Sequence, residues 1–108
     1  MTLIAILTAA AMTASPVPQA SLAEVSCDRL AQALTYFHED TLQWEQRATS
    51  RSVAPNPAVA VMTRRMQVVA RYMTAHNLPP RPITERDVVL SNASGTDMMT
   101  EFERRCRA

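Results

Sequence analysis

Cys27 and Cys106 are the only cysteines in a chain of 108 residues, and they stand near the two ends of its polar part. Ahead of them Leu3–Ala14 reads LIAILTAAAMTA, an apolar run of 12 residues. A membrane-crossing helix takes about 20 apolar residues, so this run is too short to span. Its length fits the apolar segment of an export signal, although no Lys or Arg precedes it. Pro16 and Pro18 end any helix, and Ser21-Leu22-Ala23 places small residues at the −3 and −1 positions of a cleavage site. The expected organisation is a signal peptide over 1–23 and one domain over 24–108, with cleavage after Ala20 as the alternative. Glu24 stands where a lipoprotein signal takes an aliphatic residue, so no lipid anchor is expected. The expected location is periplasmic or extracellular.

Exported chains live where disulfides persist, so the two cysteines are expected to pair. A Cys27–Cys106 bond closes a loop of about 80 residues, which the chain-entropy account values at roughly 4.5 kcal/mol. That is a large share of what a domain of this size can gain from its limited core.

Apolar periodicity then points to an all-α fold. Leu30, Leu34, Phe37, Thr41, Trp44 and Ala48 step by four and three, which predicts a helix over 27–49 with Ser26 as its N-cap. Asn56-Pro57 is a helix start, and Val59, Met62, Met66, Val69 and Met73 carry a second stripe to about His76. Asn77 suits a left-handed C-cap, with Pro79-Pro80 as the stop. Thr84 is read as the cap of a short third helix to about Asn92, with Val88-Val89-Leu90 as a brief strand in the alternative. Ser91–Gly95 reads as a turn. Thr96 is then read as the cap of a fourth helix whose buried face carries Met99, Phe102 and Cys106. The adjacent Met98 and Met99 are not expected to face the core together.

The disulfide constrains this order. A straight helix over 85–107 would leave Cys106 about 30 Å from Cys27, whereas a disulfide holds its Cα atoms within about 7 Å. A break near Gly95 is therefore expected. The result is a small helical bundle of two long antiparallel helices and two short C-terminal ones, closed by one disulfide.

Functional signals are sparse. Eleven basic residues, all Arg, face ten acidic ones for a net charge of +1, which gives no electrostatic case for nucleic acid or an anionic membrane. A single Gly leaves no room for a Gly-rich phosphate loop. No HExxH, nucleophile elbow or Cys–His pattern appears, and His38-Glu39-Asp40 points three ways around a helix, so no catalytic residue and no cofactor are expected. Arg64, Arg65 and Arg71 read as a basic patch on the outer side of the second helix. Trp44, Arg64, Arg71 and Tyr72 are the expected contacts of an unidentified protein partner, since aromatics and Arg dominate interface energetics. The alternative is a copper or small apolar ligand carrier that uses Met62, Met66, Met73 and His76, although the same stripe spacing suits core filling. The primary expectation is a non-enzymatic interaction module.

Overall fold

The computed structural model describes residues 21–107; the apolar run Leu3–Ala14 lies outside the described residues. A single 3-10 turn, Leu22–Glu24, leads into four helices: α1 Cys27–Ser50, α2 Pro57–Ala75, α3 Val88–Asn92 and α4 Gly95–Arg105. The bundle is all-α, as the periodicity predicts.

The two long helices begin and end on side-chain chemistry. Ser26 Oγ accepts from Arg29 N at the start of α1, and Asn56 Oδ1 accepts from Ala58 N beside Pro57 at the start of α2. Both end in the same way. Asn77 takes φ 50°, Leu78 N donates to Met73 O and Asn77 N to Thr74 O, the paired bonds of a left-handed helix stop. Ser52 takes φ 65° with the equivalent bonds from Val53 N to Ala48 O and Ser52 N to Thr49 O.

Three contacts at nearly constant residue sum show that α1 and α2 run antiparallel. Tyr72 Oη donates to Asp28 Oδ1 at 2.6 Å, Thr63 Oγ1 meets His38 Nε2 at 3.1 Å, and Asn56 N donates to Glu45 Oε2 at 3.2 Å. The chain beyond α2 is strapped across α1: Gln32 Nε2 donates to Pro79 O, and Arg29 Nη2 to both Pro82 O and Asp87 Oδ2. Leu78 and Ile83 pack on the core from this strap.

Two details of the short helices differ from expectation. The third helix begins at Val88 rather than at Glu85, because Thr84 N and Oγ1 both donate to Asp87 Oδ2 and hold 84–87 as a turn. Residues 88–90 are helical, so the strand alternative does not occur. In α4 the cap is Ser94, whose Oγ accepts from Asp97 N, and Gly95 is the first helical residue; the Ser-x-x-Asp spacing outcompetes Thr96.

The break between α3 and α4 falls at Ala93-Ser94, and it turns the chain back towards Cys27 as the disulfide requires. Cys27 and Cys106 are bonded, with their Cα atoms 5.6 Å apart. Met98, Met99 and Phe102 are all fully buried. Met98 and Met99 therefore do face the core together, because α4 touches α1, α2 and the N-terminal turn and so is enclosed on more than one side. Burial of three such side chains contributes about 1.5–3 kcal/mol each.

Arg105 closes the same end. Its Nη2 donates to Leu22 O at 2.8 Å and to Val25 O, and its Nε donates to Glu101 Oε2. Leu22 and Val25 pack against the core, so the packed chain starts ahead of residue 24.

Reducing the disulfide, or replacing Cys27 and Cys106 together by Ser, is expected to lower stability by about 2–4 kcal/mol, read as a fall in the urea midpoint. An unchanged midpoint would mean that the burial of α4 holds this end without the bond.

Candidate functional site

The helices differ greatly in length. α4 has 11 residues and α1 has 24, so α4 covers about 16 Å of a helix about 36 Å long. Its C-terminus is tied to Cys27, and its first residues, Gly95 and Thr96, lie beside Leu34, Phe37, His38 and Thr41 of α1 and Met62 and Met66 of α2. Beyond that level no described helix other than α1 and α2 themselves packs on the hairpin. Every residue from Glu39 to Ser50 is exposed except Glu45 and Ala48, which are half-buried.

Trp44 lies on this uncovered hairpin and is 62% exposed. The stripe spacing predicts it on the buried face, whereas its reading as a partner contact takes it as exposed. Between Glu39 and Ser50 the half-buried positions of α1 are Glu45 and Ala48, so Trp44 falls just outside the seam. The Arg47 guanidinium lies over its ring, 5.3 Å from the ring centroid. At i, i+4, i+8, i+11 and i+15, Tyr36, Asp40, Trp44, Arg47 and Arg51 line one exposed face of α1. Tyr36 is 40% exposed. Sequence reasoning picked out Trp44 but missed Tyr36, Arg47 and Arg51; the spacing from Trp44 was the available clue.

The other expected contacts separate. Arg64 and Arg71 are exposed on α2. Arg65 is not part of that patch: it is half-buried and donates through Nε and Nη2 to Glu103 of α4, which holds that carboxyl below its usual range. Tyr72 is a fastener. Its ring stacks on His76 at 3.9 Å and meets Phe102 edge-on at 5.3 Å. Burial and the Asp28 carboxylate push its phenol up to about 12.

The methionine face is turned into the protein. Met66 is buried, and Met62 and Met73 pack against the core. Eleven residues separate Met62 from Met73, about 16 Å of helix, so these thioethers do not converge on one ion. Among the described residues no group of three His, Cys, Asp or Glu side chains is placed to hold a metal.

His38, Glu39 and Asp40 do not form a cleft; Glu39 and Asp40 are exposed on opposite sides of the His38 direction. His38 itself is half-buried where α4 begins, with Nε2 on Thr63 and Nδ1 buried without a partner among the described residues. Burial lowers its pKa, partly offset by Glu39. No described helix is long and apolar enough to cross a membrane.

Compared with known protein families, curated proteins and solved structures, the chain matches none.

The His38 geometry fixes a pH dependence. The folded state favours neutral imidazole, so as pH falls through the ordinary value of 6.5 the unfolded chain takes up its proton first. The His38 contribution is present above 6.5 and is lost as pH falls towards the lower folded value. The urea midpoint is expected to drop between pH 7.5 and pH 5.5, and to drop less in His38→Phe. An equal drop in both proteins would contradict this assignment.

Proposed function

We propose that this chain is an exported, non-enzymatic protein-interaction module that docks a partner through the Tyr36–Trp44–Arg47–Arg51 face of α1. The observation that carries this reading is the exposure of Trp44 on a hairpin that no third described helix covers. A tryptophan left largely in water sacrifices more burial than any other side chain could, and large exposed aromatics beside Arg are typical anchors of interfaces. The surface is rigid helix rather than loop, so little ordering entropy opposes binding. Two arginines against one aspartate on this face favour a partner whose apolar pocket has an acidic rim.

Export is supported by the apolar run Leu3–Ala14 and by a disulfide that a reducing compartment would not maintain. Cleavage after Ala20 fits this fold better than cleavage after Ala23. It keeps Leu22 and its bond to Arg105, which the later site would remove. The intact mass of the exported protein is expected to match a chain beginning at Ser21; one beginning at Glu24 would contradict that choice.

The interaction itself is tested with a photo-crosslinking residue placed in cells at Trp44, Arg47 or Arg51, and at Gln67 on α2 as a control. A discrete adduct from the α1 positions alone is expected. Once the partner is purified, Trp44→Ala is expected to weaken its binding at least tenfold, about 1.4 kcal/mol. Equal labelling from Gln67, or unchanged affinity in Trp44→Ala, would overturn the assignment.

A further inference from the structure

The exposed face of α1 is complementary to itself. Tyr36, Asp40, Trp44, Arg47 and Arg51 fall within one arc of the helix, and all five are exposed. Among the described residues Asp40, Arg47 and Arg51 take part in no ion pair. Asp40 and Arg47 stand two turns apart, about 10 Å along the axis, so they do not pair within one helix. The face also has defined ends. Arg29 and Gln32 lie on the same side of α1 below Tyr36, where they hold the strap through Pro82 O, Asp87 Oδ2 and Pro79 O. At the other end the helix stops at Ser50, with Arg51 as its C-cap. The free length from Tyr36 to Arg51 is about 24 Å. Its midpoint falls between Gln43 and Trp44.

A second copy laid antiparallel on this length, about a two-fold axis through that midpoint, matches it position by position. Asp40 then faces Arg47 of the second copy, and Tyr36 faces Arg51 of the second copy, each contact being made twice. The two Trp44 rings meet at the axis, and an aromatic centre ringed by polar groups is where interface energy concentrates. The Arg47 guanidinium lies over the Trp44 ring, so charge and aromatic surface are presented together. Parallel pairing is disfavoured, because it sets Asp40 on Asp40 and Arg47 on Arg47.

We infer that this face pairs antiparallel with the same face of a second copy of the chain, and that the pairing masks it from its partner. The masking rests on the docking role proposed above; the pairing does not. In the pair Arg51 meets a ring rather than a carboxylate. A partner with an acidic rim therefore satisfies more of the positive charge and displaces the second copy.

The exported chain is diluted from about 1 mM to about 1 µM, with mass followed by sedimentation and burial by the fluorescence of Trp44, its single tryptophan. A monomer–dimer equilibrium is expected, with emission at shorter wavelength as the dimer forms. Asp40→Arg sets like charges together at Arg47, and Arg47→Asp does so at Asp40. Each is expected to weaken the dimer about tenfold. The two together restore both ion pairs with their signs reversed, and are expected to return the affinity to within about threefold of the original. The thermal midpoint of each variant shows that it folds. A monomer throughout the range, a dimer whose Trp44 emission does not move, or a double variant no tighter than the single ones would overturn the inference, and each leaves the crosslinking test of the partner standing. Crosslinking in cells that yields only an adduct of twice the chain's mass would support the pairing and overturn the partner and the masking.

Discussion

The Cys27–Cys106 bond determines where everything else in this molecule sits. It fastens the end of the 11-residue α4 to the beginning of the longest helix. Since α4 is less than half as long as α1, fixing one end decides how far its cover extends. Burial is therefore concentrated at one pole, in Leu30, Leu34, Val69, Met98, Met99 and Phe102. The far half of the α1–α2 hairpin is left as a two-helix projection. Removing the chain-entropy constraint would weaken the pole that holds nearly all of the apolar core, so one bond has leverage over the whole fold.

Polar contacts reinforce the same pole. Arg105 joins α4 to the N-terminal turn, Arg65 joins α2 to Glu103, Tyr72 joins α2 to Asp28, and Arg29 with Gln32 holds the strap that follows α2. Each links segments distant in sequence, which local helix propensity cannot do. Arg105 and Arg29 also reach Val25 O and Pro82 O, backbone carbonyls that lie outside the helices. On the projection the equivalent contacts are few: Glu45 to Asn56 near the tip and His38 to Thr63 at its base.

Much of the fold could be read from residue order. The two stripes and the Ser26, Asn56-Pro57 and Asn77 signals located the long helices almost to the residue, because caps and periodicity are local physics. The disulfide argument placed the break before α4, since it used only helix rise and bond reach. What stayed hidden was non-local. Ser52 in the left-handed region carries no composition cue, unlike Asn77. The burial of Met98 beside Met99 depends on α4 being enclosed by three neighbours. Arg65 looked like its neighbour Arg64, and only the position of Glu103 separates them. The candidate site was half legible: Trp44 stood out as the single tryptophan, but its exposure follows from the length of α4, which no pattern inside α1 contains.

Hydrogen exchange followed residue by residue tests this asymmetry most directly. The account predicts strong protection for amides in Leu30–Phe37, Met66–Tyr72 and Met98–Phe102, and weak protection for Leu42–Ala48 and Ala60–Val61 within the same two long helices, although all are helical. Uniform protection along α1 and α2 would contradict a core confined to the disulfide pole.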